Sequence, residues 1–271
     1  MVILFEQDIR TNGRQSSKGN QLKWYSGDTW YKADYTGYEG LAEYMVSALM
    51  TYSDLKSQEY VRYETEQICY GNTQFLGCRS KNFLPDGWQL ITLERLFQSH
   101  FGQSLYRSLY QISDHEERLR FLVTQTERLT GLRNFGAYMS KLLTLDALFL
   151  NEDRHTHNIA VLIDPAGEYH FCPAFDYGAS LLADMTMDYP MGVDVEQAME
   201  KVEAKTFSRD FEEQLEVAER LYGKHTRFAF GKKEIQEALA REPFYPDAVK
   251  ERVCDILLAQ RRKYAYLFSE K

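Results

Sequence analysis

The sequence predicts a mixed α+β chain, strand-rich in its first third and mainly helical after it. Short β-branched and aromatic runs recur at 2–5, 22–25, 29–33, 60–65 and 74–78. Breaks such as Thr11-Asn12-Gly13 and Tyr70-Gly71-Asn72 separate them. After the turn signal Pro85-Asp86-Gly87 the apolar spacing changes to that of helices. One hairpin interrupts the helical part. Its two runs, 159–163 and 168–172, flank Asp164-Pro165-Ala166-Gly167, where Pro and Gly suit a type I turn. The expected organisation is a front lobe over 1–84 and a helical back lobe over 85–271, with no internal repeat and no low-complexity linker.

The helices follow in order. Leu41, Tyr44, Met45, Ala48 and Leu49 form one stripe of a helix over 38–50. Ser113-Asp114-His115-Glu116 reads as a capping box that opens a helix ending near Gly131. The next helix, 136–150, carries Met139, Leu142, Leu143, Ala147 and Leu150 and should face the core. Further helices are expected at 208–223, 232–241 and 246–268, with Pro246 at a first helical position, where its missing N–H costs nothing.

Composition narrows the function classes. The 271 residues are 44% hydrophobic and 27% charged, ordinary for a globular protein with a large core. Thirty-two Lys and Arg against 40 Asp and Glu give a net charge of −8, which argues against a duplex nucleic-acid or anionic-membrane binder. No run approaches the roughly 18 apolar residues of a spanning helix. The start, with four apolar residues before Glu6 and Asp8, lacks the basic region and cleavage site of a signal peptide. The four cysteines form no CxxC pair and suit reduced thiols. The expectation is a cytoplasmic enzyme or binding protein, without membrane insertion and without direct nucleic-acid binding.

The hairpin carries the chemistry. Antiparallel pairing brings its outer ends together. Asp153-Arg154-His155-Thr156-His157-Asn158 lies outside one end and Phe175-Asp176-Tyr177-Gly178 outside the other. Asp153, Asn158 and Asp176 should therefore surround one small volume, as oxygen ligands suited to Mg²⁺. Phosphoryl transfer needs this set: an Asp to accept a hydroxyl proton, an Asn for metal, and a further Asp before a Gly. The bland alternative, two solvated turn carboxylates, explains the conjunction poorly. Lys32 lies mid-strand among aromatics. Glu39 and Glu43 follow one turn apart on one helix face, so either has the spacing to pair with it. The loop Ser16-Ser17-Lys18-Gly19-Asn20-Gln21 is polar and Gly-containing, but it does not match Gly-x-Gly-x-x-Gly and alone reads as an ordinary hairpin turn.

These residues together resemble a family. Asp153 to Asn158 fits the D-x-H-x-x-N catalytic loop of HipA-like bacterial serine/threonine kinases and of phosphoinositide kinases. Ser16-Ser17-Lys18-Gly19-Asn20-Gln21-Leu22-Lys23 fits the S-x-x-G-x-Q-x-K phosphate loop of the HipA group, and Phe175-Asp176-Tyr177-Gly178 falls where the superfamily places its metal-binding Asp. The resemblance implies a two-lobed protein-kinase-like fold with ATP and Mg²⁺ in the cleft. It implies Asp153 as catalytic base, Asn158 and Asp176 as Mg²⁺ ligands, Lys32 on the ATP phosphates and Glu39 as its partner. It places Ser16, Ser17, Gly19 and Gln21 in the phosphate loop, with Ser16 or Ser17 open to autophosphorylation. His155 would be a buried loop-orienting residue. Cys78 and Ser80, on the second long strand after the Lys helix, are the expected adenine contacts. The implied acceptor is a protein Ser or Thr.

Departures from the family pattern shape the rest. The chain begins almost directly at the phosphate loop, so an antitoxin partner and DNA recruitment are not implied. The Arg154-His155 pair reads more like phosphoinositide kinases, which keeps a lipid or small-molecule acceptor as an alternative. No Ala-Pro-Glu follows Asp176. A nucleotide-binding pseudokinase is a further alternative, opposed by the presence of Asp153, Asp176 and Lys32. A zinc site from His155, His157, His170 and Cys172 has the right atoms, but the first two already lie inside the Asp-to-Asn loop, where His157 would face solvent.

Overall fold

The computed structural model describes residues 1–10 and 21–268. Ser16, Ser17 and Gly19 lie outside the described residues. In chain order the strands are β1 (Val2–Leu4), β2 (Lys23–Ser26), β3 (Thr29–Ala33), β4 (Glu64–Tyr70), β5 (Thr73–Lys81), β6 (Gln89–Thr92), β7 (Ala160–Ile163) and β8 (Tyr169–Phe171). The helices are α1 (Glu39–Met50), α2 (Leu93–Phe101), α3 (Leu105–Tyr110), α4 (His115–Thr130) and α5 (Phe135–Phe149), then α6 (Val195–Met199), α7 (Phe211–Tyr222), α8 (Lys232–Arg241) and α9 (Asp247–Lys263). Among the described residues no helix is long and apolar enough to cross a membrane.

The chain divides into two compact units that are not consecutive in sequence. The first comprises Met1–Phe83, Asp176–Val202 and Arg227–Lys271; the second comprises Leu84–Phe175 and Glu203–Thr226. The break after Phe83 falls where the turn signal lies. The segments 176–202 and 227–271, expected in the back lobe, group with the strands instead.

The first unit is built on a five-stranded sheet in the order β1-β4-β5-β3-β2, with β1 parallel to β4 and the other pairs antiparallel. Leu4, Trp24, Tyr31, Ala33 and Ile68 form its core cluster. The run expected as a strand over 60–65 is mostly an irregular approach to β4. Tyr60, Val61 and Tyr63 are buried there without joining the ladder, which begins at Glu64 and continues to Tyr70. An apolar run signals burial, and burial does not require a strand.

The second unit holds an antiparallel sheet in the order β6-β7-β8. The hairpin forms as expected, pairing Val161 with Phe171 and Ile163 with Tyr169. Asp164 closes its turn by accepting from the amides of Ala166 and Glu168, each at 2.9 Å. The sequence reading missed β6, which adds a third strand beside β7. α5 is buried along nearly its whole length and packs on α4 and α7. The cap of α4 is Asp114 rather than Ser113: its carboxylate accepts from the Glu117 amide at 2.8 Å. Gly131 ends that helix in the left-handed conformation, at φ 72°.

Candidate active site

Lys32 is the centre of the first unit's cluster. Its Nζ donates to Glu43 Oε1 at 2.5 Å and to Asp176 Oδ1 at 2.7 Å, and it lies 5.2 Å from the Tyr63 ring centroid. The helix that brings Glu43 comes unusually close to the sheet. A Cβ on Gly40 would stand 2.4 Å from the Gly77 carbonyl carbon, and one on Gly77 would stand 2.0 Å from the Lys32 carbonyl oxygen. Gly40 therefore sets the distance between α1 and β5, Gly77 that between β5 and β3, and Glu43 follows Gly40 by one turn. Its second oxygen accepts from the Tyr177 amide at 2.9 Å, which holds the chain just after Asp176. Asp176 itself adopts a left-handed conformation, φ 63°, rare for a non-glycine residue.

The electrostatics follow from one ammonium facing two carboxylates. Burial pulls the Lys32 ammonium down, but Asp176 and Glu43 more than offset it, and the group is held well above its ordinary value. Burial, and then Asp176, push the Glu43 carboxyl up against the pull of Lys32. The cluster keeps an excess of negative charge, and Asp176, 26% exposed, is its most accessible carboxylate.

Glu39 is not the partner of Lys32. It stands at the first position of α1, where the amides of Thr36 and Gly37 donate to it at 2.7 and 3.1 Å and the Thr36 hydroxyl at 2.8 Å. The unpaired donors ahead of the helix claim the nearer acid, and the one a turn further in reaches the lysine.

The second unit carries the Asp153 loop, built on a buried ion pair. Arg154 and Asp146 have side chains 1% and 0% exposed, with Nε to Oδ2 at 3.0 Å and Nη2 to Oδ1 at 3.0 Å. Asn151 also donates to Asp146, at 2.8 Å. Burial pushes the Asp146 carboxyl up, opposed by Arg154 and Asn151. The remaining arm of Arg154 donates to the carbonyls of Asn158 at 2.8 Å and Phe175 at 3.2 Å, so one side chain ties both hairpin flanks. Thr156 donates to the buried Glu94 at 2.8 Å.

On this platform Asn158 Nδ2 donates to the Asp153 carbonyl at 2.8 Å and to its Oδ2 at 3.2 Å. Lys205 Nζ donates to Oδ1 at 3.1 Å. The Asn158 amide nitrogen is thus committed to Asp153, and its side-chain oxygen is the atom left to face a cation. Asp153 and Asn158 stand together as expected, while Asp176 belongs with Lys32 in the first unit.

His155 is half-buried rather than buried; its Nδ1 accepts from the His157 amide at 3.2 Å, and its Nε2 lies 3.7 Å from Asp153 Oδ2. Arg154, donating in several directions at once, is the fully buried member of the loop. His157 is exposed. His170 pairs with Asp164 at 2.9 Å, and among the described residues no group of three or more His, Cys, Asp or Glu side chains gathers as a metal cluster.

Ser80 pairs with Trp30 on β3 and lies one residue past the β4 ladder, whose last pair is Glu64 with Arg79. Cys78 offers no free backbone edge, because on β5, the central strand, it pairs with Lys32 on one side and Thr65 on the other. The interior of a sheet has no edge to present to a base. Gln21 is half-buried, two residues ahead of β2.

The sequence reading passed over Asp146 and Lys205. Asp146 had a signal: it is an acid on the apolar stripe of α5, where a carboxylate needs a partner. Lys205 had none, since 52 positions separate it from Asp153.

No protein-family model and no curated protein matches the chain. Among solved structures, the proinflammatory kinase CtkA of Helicobacter pylori aligns over 97% of this chain and 95% of its own, with a TM-score of 0.58 at 15% identity. HipA of Shewanella oneidensis, solved with HipB and its operator DNA, aligns over 96% of this chain and 63% of its own at 14% identity, with a TM-score of 0.41, too low to build on. The likeness to CtkA shows the fold: the chain has the mixed α+β, protein-kinase-like architecture that the sequence predicts.

Proposed function

We propose that this chain is an ATP- and Mg²⁺-dependent cytoplasmic kinase that transfers the γ-phosphoryl group to a hydroxyl, with a protein Ser or Thr as acceptor. The observation that carries the reading is the buried Lys32 held between Glu43 and Asp176. A charged lysine fixed in this way is a phosphate-neutralising group, and phosphoryl transfer is chiefly positioning and electrostatics. The proposed division between lobes stands at residues 84 and 85, with 176–202 and 227–271 going with the front-lobe strands.

Lys32 neutralises the nucleotide phosphates, and Glu43 fixes its direction. Asp176 and Asn158 are the ligands for Mg²⁺. The donor set fits a hard cation, because the first cluster holds surplus negative charge and Asn158 retains a side-chain oxygen. Mg²⁺, when bound, neutralises the charge that develops on the phosphoryl oxygens. Asp153 orients the acceptor hydroxyl and takes its proton, and no covalent enzyme intermediate is needed. Ser16 or Ser17 in the phosphate loop is the proposed site of autophosphorylation. A phosphate there, with about −1.5 to −2 charges, would repel the ATP triphosphate and limit turnover.

The test is phosphoryl transfer from Mg-ATP into intact proteome, lipids and small metabolites. Wild-type protein should label a protein fraction, and Asp153→Asn should lose about 10³-fold in turnover with ATP affinity within a few-fold. Near wild-type turnover in that variant removes Asp153 from the mechanism. Labelling confined to lipids or metabolites rejects the protein acceptor. Peptide mass spectrometry after incubation with Mg-ATP checks Ser16 and Ser17, and an unmodified loop on an active enzyme rejects the autophosphorylation.

A further inference from the structure

We infer that Lys205 is a second catalytic cation: its ammonium rests on the base Asp153 in this structure and moves onto the transferring phosphoryl group during reaction. The inference rests on the kinase reading and adds to it a residue that the catalytic-loop motif does not contain. Lys205 lies in the stretch between α6 and α7, far from Asp153 in sequence. Its Nζ is nevertheless 3.1 Å from Asp153 Oδ1.

The delivery of Lys205 is built into the backbone on both sides of it. The following residue, Thr206, is 2% exposed, adopts φ 84°, and donates its hydroxyl to the Arg154 carbonyl at 2.8 Å. The preceding residue, Ala204, is equally buried, and its amide donates to the Arg209 carbonyl at 2.8 Å. A left-handed backbone at a β-branched residue is costly, and it is kept here where it aims the neighbouring lysine at the loop. A surface ion pair formed by chance would need no such anchoring.

The two oxygens of Asp153 are held differently. Oδ2 accepts from Asn158, an internal member of the loop, whereas Oδ1 accepts from Lys205, whose side chain is 38% exposed on a flexible four-carbon stem. An oxygen that accepts from an ammonium is not free to take a hydroxyl proton along the same direction. Of the two partners, Lys205 is the one whose stem can swing without dismantling the loop. As the acceptor hydroxyl reaches Oδ1, the ammonium passes to the phosphoryl oxygens beside it. The acceptor oxygen then bonds to the γ-phosphorus, the bond from that phosphorus to the bridging oxygen breaks, ADP leaves, and the hydroxyl proton passes to Asp153. Lys205 thus holds the base before reaction and the phosphoryl charge during it, a contact stronger in the transition state than in the ground state.

The test compares wild type, Lys205→Met and Lys205→Arg as full-length chains, by steady-state and single-turnover kinetics with Mg-ATP. Lys205→Met should lose about 10²-fold in kcat, with the KM for ATP within about three-fold and an unchanged thermal midpoint. Lys205→Arg keeps the charge and should recover about ten-fold of that loss. In an Asp153→Asn background, Lys205→Met should cost far less than it does alone, because the two residues serve one step. A kcat within about three-fold of wild type in Lys205→Met, or one that rises, overturns the inference, and so does a loss confined to KM. If Lys205→Met fails to fold, an inactive but folded Lys205→Arg together with an active, folded Lys205→Gln overturns it as well. Wild type that transfers no phosphoryl group to any acceptor overturns the kinase reading itself. An active wild type with inert substitutions at position 205 overturns only the role of Lys205.

Discussion

The two clusters of titratable residues are assembled in opposite ways. The Asp153 loop is local: Asp146, Asn151, Asp153, Arg154 and Asn158 come from one helix end and the turn after it. The Lys32 cluster draws on a strand, a helix and a segment 144 positions downstream of the lysine. Their charges differ as well. In the loop Arg154 pairs with Asp146, and Lys205, 52 positions on, pairs with Asp153, so each of these carboxylates faces one cation. The Lys32 cluster has two carboxylates to one ammonium. A local loop is fixed by its own ion pair, whereas the dispersed cluster depends on how closely helix and sheet approach.

The largest expected effect tests the local side. Arg154→Met strands the Asp146 carboxylate where its side chain is 0% exposed. Unfolding by urea should show a loss of about 3–5 kcal/mol, because an uncompensated buried charge costs more than the pair contributes. Replacing both partners, with Asp146→Leu added, should recover much of it. A loss under about 1 kcal/mol in the single variant would show that the loop does not rest on this pair.

The next effect belongs to the dispersed side and is read through pH. Asp34, just after β3, accepts from the Gly40 amide at 2.6 Å and from the Tyr245 hydroxyl at 2.7 Å. Burial first, and then Glu39, push its carboxyl up from 3.8 to about 7, with Glu242 adding and the two hydrogen bonds opposing. Between those values the folded chain holds a proton that the unfolded chain has released. The contribution is therefore whole in acid and is lost as pH rises through about 7. Asp34→Asn keeps the shape and cannot titrate. Unfolding followed at pH 5 and pH 8 should show about 2–3 kcal/mol less pH dependence in the variant. Equal slopes in the two proteins would mean that the carboxyl is already ionised across this range.

Legibility in the sequence divides along the same line. The hairpin, its flanking Asp153 and Asn158, and the helices with clean apolar stripes were all readable, because turn chemistry and periodicity act over a few residues. Glu43 was visible only as one of two candidates. Choosing it over Glu39 requires knowing that the donors ahead of α1 capture the first acid and that Gly40, without a side chain, lets the helix meet β5 at Gly77. The assignment of Cys78 to an adenine contact failed for a related reason: strand order is a tertiary property, and nothing in the run 74–78 says that a strand lies on either side of it. Lys205 is the extreme case, a residue whose meaning comes wholly from the backbone that carries it.

The smallest effects test the choice between the two glutamates. Glu43→Gln keeps the side-chain shape but removes the charge that holds Lys32, leaving the ammonium to Asp176 alone. Turnover should fall about 10²-fold while the fold survives, since an amide oxygen can still accept from the Tyr177 amide. Glu39→Gln does the reverse. It weakens the acceptor for Thr36 and Gly37 at the start of α1, so stability should fall by about 1 kcal/mol and turnover should stay within about three-fold. Measured side by side, the pair separates positioning a lysine from fastening the turn ahead of a helix. A Glu39→Gln variant with the larger loss of turnover would return the pairing to the residue that the family resemblance first suggested, and would imply that Glu43 serves packing rather than charge.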